Sequence, residues 1–442
     1  MKKKTRSQAS RAKAMSNIPV RVMMLMFFIA FFLIALKKQI NAQEAYDALK
    51  AAGDPSAVKP ALDLFSFALC LIVPIMIFIG TVVLGKLLPT DPVLLSLTNF
   101  LCALGVFVLY STAPDKGLRQ CMYYGIGIGV MALCIYLVRI VKHWRTLSFI
   151  VFPIALLLLA TPLVLGTEQN GAKNWIYIGG TSLQPSELVK IPLLILLAYY
   201  MSRRKFFSWM LFCLIALAVL MLQKDLGTAL LYYITALLLY YASTGNLPVS
   251  LVGLGGGAGA AYLGYTMFAH VKKRVALWLN PWSDYDAGYQ IIHSLVAIAS
   301  GGLFGMGVGL GSPKSIPIYY TDFIFAVICE QFGMLFGFGV ILVYVFIMLR
   351  GVSAAMDARN QFDSLLAMGA TIILSVQAFI IIGGVIKLIP LTGVTMPFVS
   401  YGGTSMLASM GIMGLLQGVA SKNKDALIRE ESYVSSAGEV SL

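Results

Sequence analysis

Carboxylates and cations are concentrated in the long polar segment between His270 and Asp322. Asp284 and Asp286 lie close together in it, shortly after a basic run that ends at Arg274. A carboxylate held in a semi-buried loop near cations can act as a general base, and cations with backbone N–H groups can hold a pyrophosphate. The segment is longer than an ordinary connection, which favours function over linkage. The pattern therefore predicts an acid–base or phosphate-binding site.

Two shorter segments carry further ionisable residues. Glu187 and Lys190 follow Pro185 and are three residues apart, which places them on one face at the start of a helix. Asp225 stands where the next helix should begin, and a carboxylate there is favoured by the helix dipole. Each feature also has a purely structural interpretation: a local ion pair for the first and a helix cap for the second.

The elements that must position these residues are membrane helices. Hydrophobic residues make up 59% of the 442-residue chain and charged residues only 12%, and the mean hydropathy is +0.84. A water-soluble domain has about a quarter of its residues charged. Long apolar runs without period-two alternation favour helices over a β-barrel. The sequence therefore predicts an all-α polytopic membrane protein.

Charge and cysteine usage exclude several other classes. The net charge of +14 is better explained by membrane topology and contact with anionic membrane lipid than by binding of nucleic acid. The six cysteines lie in or beside apolar runs, without the spacing of a zinc site or a disulfide framework. The three histidines are scattered along the chain. No metal centre is predicted.

Apolar runs predict about twelve spans, centred near residues 28, 76, 101, 131, 157, 194, 214, 234, 258, 335, 376 and 411. Basic inner turns place both termini in the cytoplasm and the polar segments on the outer face; these turns contain Arg139, Arg203, Arg350 and Lys422. Four lysines of the first outer loop fit this charge rule poorly: Lys37, Lys38, Lys50 and Lys59.

The chain divides into three predicted parts. Residues 1–90 form a basic cytoplasmic tail, two transmembrane helices and an outer loop that can hold a short amphipathic helix. Residues 91–420 form the membrane core, with a large outer loop at 270–321. Residues 421–442 form a polar and disordered cytoplasmic tail.

Two glycine-rich segments have different interpretations. The run from Gly301 to Gly311 follows no predicted strand and lacks a terminal Gly-Lys-Ser/Thr, so we interpret it as helix packing or loop flexibility rather than a nucleotide loop. Residues 389–405 contain prolines and glycines that break helices at membrane depth. Irregular backbone is tolerated there only where protein or a water-filled cavity covers it. This second segment therefore predicts a polar cavity between helices.

Several motifs, in their order along the chain, resemble the FtsW/RodA/SpoVE (SEDS) family. They are Trp175 after Gly-Ala-Lys-Asn, Gln184-Pro-Ser-Glu187 with Lys190, Asp225-Leu-Gly227, Gly288-Tyr-Gln290, Thr321-Asp-Phe-Ile-Phe325 and Pro397-Phe-Val-Ser-Tyr-Gly-Gly403. Each motif alone is weakly to moderately specific. Their joint order and outer placement are highly specific, and the resemblance covers residues 91–419.

The resemblance implies a SEDS-like ten-helix core, which two extra N-terminal transmembrane helices precede in this chain. It implies a peptidoglycan glycosyltransferase that polymerises lipid II at the outer face of the bacterial cytoplasmic membrane. The implied partner is a class B penicillin-binding protein, a transpeptidase that crosslinks the glycan. No cofactor is required, although a divalent cation such as Mg or Mn can assist the pyrophosphate.

The resemblance also implies residue roles. Asp284 follows Asn-Pro-Trp-Ser and becomes the catalytic carboxylate, but counting back from Gly288 leaves the spacing one residue short, so Asp286 stays a rival. The implied substrate-binding residues are Arg119, Trp175, Glu187, Lys190, Asp225, Arg274, Asp322 and Ser400.

In the implied reaction, Asp284 accepts the proton of the GlcNAc 4-hydroxyl, which attacks C1 of MurNAc with inversion while undecaprenyl pyrophosphate leaves. The departing negative charge is stabilised by three cations, namely Arg119, Lys190 and Arg274. The carboxylates with a positioning or capping role are Glu187, Asp225 and Asp322.

The chain departs from the family pattern in ways that leave other functions open. The family usually has Pro-Glu-x-His before Thr-Asp-Phe-Ile-Phe, where this chain has Pro317-Ile-Tyr-Tyr320, so two ionisable groups are missing. Lys224 replaces a proline, Asn174 an arginine and His293 a glutamine. One alternative is a flippase for a lipid-linked precursor, whose polar site would lie near mid-membrane. The other is a catalytically weak scaffold that activates a transpeptidase, which the missing Glu and His favour.

Overall fold

The computed structural model of the chain is mainly helical. It describes residues 18–54, 56, 58–169, 171–179 and 181–440, so most of the predicted basic tail lies outside the described residues. The helices are α1 (Ile18–Ala51), α2 (Leu64–Leu87), α3 (Pro92–Thr112), α4 (Pro114–Ile140), α5 (Trp144–Leu165), α6 (Pro185–Ser202), α7 (Phe206–Leu222), α8 (Leu226–Thr244), α9 (Leu247–Met267), α10 (Ala269–Leu279), α11 (Tyr285–Gly301), α12 (Ile324–Phe332), α13 (Met334–Met356), α14 (Gln361–Val385) and α15 (Gly403–Val440).

Each predicted span centre falls within a helix, which confirms a polytopic helical membrane protein. Within the described ranges, ten helices are long and apolar enough to cross a membrane: α1 to α5, α8, α9 and α13 to α15. The first turns of α6 bury the charges of Glu187 and Lys190, and α7 has only 17 residues. The count of twelve spans therefore stays a prediction.

The span centre predicted near residue 335 lies at the start of α13 and not in its middle, because the apolar run there forms two helices instead of one. The chain turns between α12 and α13 at Gly333, which has a φ of +88°. A side chain at this position would approach the Leu303 carbonyl oxygen to 2.2 Å. Only glycine fits such a position, and α13 consequently begins at Met334.

The prediction of a disordered C-terminal tail is wrong for residues 421–440, because α15 continues to Val440. Ion pairs hold the first part of this extension against neighbouring helices: Arg139 lies 2.9 Å from Asp425, and Lys422 lies 3.0 Å from Asp363. The partners come from α4 and α14, so the polar composition of the tail alone does not reveal them.

The core is built around α15, which contacts α4, α6, α13 and α14. Glycines permit the close approach of α4: a Cβ atom at Gly414 would lie 2.6 Å from the Met131 carbonyl oxygen, and one at Gly418 would lie 2.7 Å from the Val138 Cβ. Small residues commonly mediate such contacts in membranes, where apolar side chains gain little by leaving lipid.

The two extra N-terminal helices pack against each other and against α3. The rings of Phe31 in α1 and Phe107 in α3 meet edge to face, with centroids 5.3 Å apart. The first outer loop does not hold a separate amphipathic helix, because α1 continues without a break to Ala51. Lys37, Lys38 and Lys50, which were predicted to lie in that loop, are therefore part of α1.

Two of the lysines that fit the charge rule poorly have specific partners. Lys38 forms an ion pair with Asp63. Lys37 Nζ donates hydrogen bonds to the carbonyl oxygens of Val308 at 3.3 Å and Gly309 at 3.1 Å. The extra helices thus contact the glycine-rich loop that follows α11.

A short sheet lies between α5 and α6. Its antiparallel strands are β1 (Thr167–Gln169), β2 (Ala172–Ile178) and β3 (Thr181–Leu183), in the order β1-β2-β3. The Lys173 N–H of β2 donates to the Gln223 carbonyl at 2.9 Å, and Gln223 Nε2 donates to the Leu159 carbonyl at 2.6 Å. The first bond fixes the sheet to the turn between α7 and α8, and the second fixes that turn to α5.

The closest approach of α3 to the irregular chain between α14 and α15 generates a stability prediction. A Cβ atom at Gly105 would lie 2.6 Å from the Val399 carbonyl oxygen, so we expect Gly105→Ala to lower the free energy of unfolding by about 1–3 kcal/mol. Gly129→Ala in α4 is the matched control, because its Cβ meets nothing within 4 Å. The melting temperatures of both variants in detergent check this expectation, and equal values contradict it.

Candidate active site

A polar cavity of about 410 Å³ opens where the N-terminal ends of four helices converge, those of α4, α6, α8 and α15. Helix N-termini carry partial positive charge and unpaired N–H groups, so their convergence favours an anion. Its polar and aromatic lining consists mainly of Lys116, Tyr123, Asn174, Trp175, Tyr177, Ser182, Gln184, Lys224, Asp225, Arg274, Tyr320, Thr321, Asp322, Thr392, Thr395, Tyr401, Thr404 and Ser405.

The back wall of the cavity is the irregular chain of residues 386–402. Side chains of three spans satisfy its carbonyl groups: Gln120 Nε2 donates to Ser400 at 2.9 Å, Tyr344 OH to Pro397 at 2.6 Å, and Gln377 Nε2 to Thr395 at 2.8 Å. The predicted polar cavity beside this segment is thereby confirmed. The side of the membrane that it faces stays a prediction.

Ser400, predicted to bind substrate, lies behind the wall rather than in the cavity lining. Its Oγ donates to the Thr321 carbonyl at 2.6 Å and accepts from the Met396 N–H at 2.8 Å. The Tyr401 N–H donates to the Tyr320 carbonyl at 2.9 Å. Ser400 therefore joins the two irregular segments that carry Tyr320 and Tyr401.

Asp225 joins three elements at one side of the cavity. Its Oδ1 accepts from the Thr228 N–H at 3.2 Å, which confirms the predicted helix cap. Its Oδ2 accepts from Asn174 at 3.1 Å, Gln184 at 3.1 Å and Ser186 at 3.3 Å. Asp225 therefore does more than cap α8: it also holds residues of β2 and α6 in position beside the cavity.

Glu187 and Lys190 form the predicted ion pair, at 2.7 Å, but both are almost fully buried beneath the cavity floor. Lys190 Nζ also donates to Gln377 Oε1 at 2.8 Å. Gln377 donates to Thr395, whose hydroxyl shares a hydrogen bond with Ser405. The pair therefore supports the cavity wall from below instead of lining it.

Arg274 and Asp322 lie together beside Gly393 of the back wall, where a Cβ atom would be 3.7 Å from Arg274 Nη2 and 3.9 Å from Asp322 Oδ2. Arg274 Nη1 donates to the carbonyl oxygens of Thr392 at 2.9 Å and Leu391 at 3.3 Å. Burial raises the pKa of Asp322 to about 6, although Arg274 and a hydrogen bond from Thr321 act in the opposite direction. The protonation of Asp322 consequently changes closer to neutral pH than that of an ordinary aspartate.

Asp284 and Asp286, the predicted catalytic carboxylates, are exposed and do not line the cavity. Asp284 caps α11 by accepting from the Ala287 N–H at 3.1 Å, and Asp286 lies in the first turn of the same helix. The arm formed by α10 and α11 is held to the core by Trp278, whose Nε1 donates to the Lys387 carbonyl at 3.1 Å. The structure therefore does not bring either carboxylate to Arg274.

Trp175 and Arg119, the other two predicted substrate-binding residues, differ in their position relative to the cavity. Trp175 lines the cavity as expected, whereas Arg119 is exposed and absent from the lining. The cation that α4 directs to the cavity is Lys116, three residues earlier, which the sequence argument missed. Its spacing of seven residues from Tyr123, another lining residue, is the helical signal that could have indicated it.

Within the described ranges, no group of three or more His, Cys, Asp or Glu side chains could hold a metal ion. Assistance by a divalent cation therefore stays a prediction.

Comparisons with known proteins place this site in a family. Residues 92–425, which begin at the first residue of α3, match the FtsW/RodA/SpoVE family of cell cycle proteins. The chain is 33% identical to the peptidoglycan glycosyltransferase RodA of Mycobacterium tuberculosis, over 79% of this chain and 82% of that protein. It is 32% identical to the stage V sporulation protein E of Bacillus subtilis, over 75% of this chain and 96% of that protein.

Solved structures support the same relationship. A chain of a peptidoglycan synthase complex has a TM-score of 0.64 and 28% identity, covering 76% of this chain and 98% of that one. The rod shape determining protein RodA of Thermus thermophilus has a TM-score of 0.57 and 28% identity, covering 76% of this chain and 97% of that one.

The buried ion pair generates a prediction that does not depend on activity. Glu187→Gln leaves Lys190 with an uncompensated buried charge, so we expect a loss of roughly 3–5 kcal/mol in the free energy of unfolding. The double variant Glu187→Gln/Lys190→Met removes the charge as well, and should be more stable than Glu187→Gln alone. Thermal unfolding of the three proteins in the same detergent tests this order. A double variant that is less stable than the single one contradicts the coupling.

Proposed function

The chain belongs to the FtsW/RodA/SpoVE family, and we propose that it is a peptidoglycan glycosyltransferase that polymerises lipid II into glycan strands. The observation that carries the proposal is the polar cavity at the converging helix N-termini, which the family motifs of this chain build together. We place the cavity at the outer face of the cytoplasmic membrane and both termini in the cytoplasm, as the distribution of Lys and Arg favours.

The chemistry of the cavity fits an amphipathic anionic substrate. Lys116, Lys224 and Arg274 line it, and the helix N-termini add to their positive potential. The cavity lies at the ends of membrane-spanning helices, so a polyprenyl chain can stay in lipid while its diphosphate and sugars enter the cavity. Stabilisation of a departing diphosphate by fixed cations and N–H groups is the electrostatic contribution that such a transfer requires.

Asp284 is the general base in this proposal, with Asp286 as its rival, and both lie outside the cavity lining. The proposal therefore requires the α10–α11 arm to move Asp284 towards the bound acceptor sugar. Catalytic hydrogen bonds are often incomplete in unliganded enzymes and form only with substrate. Asp322 is a third candidate, since it already lines the cavity.

The proposed partner is a class B penicillin-binding protein that crosslinks the new glycan. The similar structure of a peptidoglycan synthase complex supports a partner of this kind.

The flippase alternative is disfavoured because the polar residues lie at helix ends instead of mid-membrane. The scaffold alternative predicts folded protein without activity, and the following experiment separates it from the enzyme.

The first test is polymerisation of labelled lipid II by the purified full chain, alone and with a class B transpeptidase. We expect glycan ladders from the native protein and a loss of about 10²–10⁴-fold in rate for Asp284→Asn, because a general base contributes about that factor. The matched control is Asp47→Asn, which removes an exposed carboxylate of α1.

Each variant distinguishes one assignment. An inactive Asp286→Asn with an active Asp284→Asn transfers the role of base to Asp286. An inactive Asp322→Asn with an active Asp284→Asn transfers it to Asp322 of the cavity lining. Absence of ladders under every partner condition, with protein that melts cooperatively, supports the scaffold. Movement of labelled lipid II across vesicles without ladders supports the flippase.

The pH dependence gives an independent measurement on Asp322. Its raised pKa of about 6 means that the group is mostly neutral at pH 5 and mostly ionised at pH 7. If the anion is needed to hold Arg274 in the cavity, kcat/KM rises with pH and has an apparent pKa near 6. Asp322→Asn should remove this rise of kcat/KM between pH 5 and 7, even if the maximal kcat/KM of the variant differs from that of the native protein. An unchanged rise in the variant assigns it to another group.

A further inference from the structure

Lys116 is held between two aromatic rings at the mouth of the cavity. Its Nζ lies 3.5 Å from the ring centroid of Tyr320 and 5.2 Å from that of Tyr401. A lysine ammonium over the face of a tyrosine ring is attracted by the ring quadrupole. The two rings therefore fix the position of a cation that would otherwise move freely on a flexible side chain.

The other cations of the cavity lining are already engaged with oxygen atoms. Arg274 donates to the carbonyls of Leu391 and Thr392. Lys224 lies 3.8 Å from Glu168. Among the described residues, the ammonium group of Lys116 has ring contacts but no carboxylate within ion-pair distance and no hydrogen-bonded oxygen. A ring face attracts the charge without accepting the ordinary N–H hydrogen bonds, so the three donors of the ammonium remain available.

The rings themselves are held in place by the backbone. The segments that carry Tyr320 and Tyr401 are joined by the hydrogen bond from the Tyr401 N–H to the Tyr320 carbonyl, and again by the one from Ser400 to the Thr321 carbonyl. A cation positioned before the ligand arrives loses little conformational freedom on binding. Lys116 also lies in the first turn of α4, where the helix dipole adds positive potential.

We propose that Lys116 binds the diphosphate of the polyprenyl-linked substrate, and that Tyr320 positions it. The inference rests on the proposed function for the identity of the ligand, and it assigns the anion-binding role on α4 to Lys116 instead of Arg119. The segment Pro317-Ile-Tyr-Tyr320 carries no cation, so the positive charge beside Tyr320 comes from Lys116 of α4. Undecaprenyl diphosphate gains more from this cation than undecaprenyl monophosphate does, because it offers more negative charge and more acceptor oxygens.

The test is equilibrium binding of two probes, undecaprenyl diphosphate and undecaprenyl monophosphate, to the purified full chain in lipid nanodiscs. We expect Lys116→Met to weaken binding of the diphosphate about tenfold or more, as loss of a charge-assisted contact does, and binding of the monophosphate less. Lys116→Arg should retain most of the affinity. The matched control is Lys142→Met, which removes an exposed lysine beyond the other end of α4.

The role of Tyr320 has its own variants. Tyr320→Phe keeps the ring and should bind the diphosphate normally, whereas Tyr320→Leu should weaken binding in part. Because Tyr320 acts through Lys116, adding Tyr320→Leu to Lys116→Met should cause no further loss. Melting temperatures confirm that each variant is folded, and polymerisation assays should show a raised KM.

Several outcomes overturn the inference. Native affinity in Lys116→Met, equal losses for both probes, or an equal loss in Lys142→Met would each exclude a specific diphosphate contact, as would no binding of either probe by the native protein. Failure of the proposed function is distinguishable. Native protein that binds the diphosphate through Lys116 but makes no glycan contradicts the polymerase and retains the site. Native protein that makes glycan with an unchanged KM in Lys116→Met contradicts the site and retains the polymerase.

Discussion

The irregular chain between α14 and α15 imposes the constraint on which the site depends. Backbone groups at membrane depth must find partners inside the protein, and residues 386–402 lack the regular bonds of a helix. Gln120, Tyr344 and Gln377 supply those partners from α4, α13 and α14, respectively. The polar side chains that make an open cavity possible therefore also make its back wall rigid, because three spans are tied to the same segment.

The electrostatics of the cavity follow from how its carboxylates are used. Asp225 accepts four hydrogen bonds from the protein, and the charge of Glu187 is paired with Lys190 below the floor. Internal partners thus offset the negative charge, whereas Lys116 keeps its donors free and four helix N-termini point to the same space. The result is a cavity whose positive potential is available to a ligand, although carboxylates lie in and beneath it.

Local features of this site could be predicted from the sequence, and long-range ones could not. The cap at Asp225, the ion pair of Glu187 with Lys190 and the helix break at residues 389–405 each depend on neighbours within a few positions, so spacing reveals them. Lys116 contacts Tyr320, and Lys37 contacts the loop after α11, although each pair is far apart along the chain. No periodicity records such contacts. The helical tail was missed for the same reason, since its ion-pair partners belong to α4 and α14.

The position of Asp284 follows from a different physical balance. Its carboxylate is already oriented by capping α11, and the aromatic side chains beside it are largely exposed, with Trp282 at 65% and Tyr285 at 50%. The arm therefore has little apolar burial holding its tip, while the cavity walls are fixed by buried hydrogen bonds. If Asp284 is the base, closure must move the tip of the arm, between α10 and α11, while Arg274 of α10 stays bound to the back wall. The free energy for that movement must come from substrate binding. In the proposed transfer, such an arrangement would keep the carboxylate of Asp284 away from the cations of the cavity until an acceptor sugar is bound.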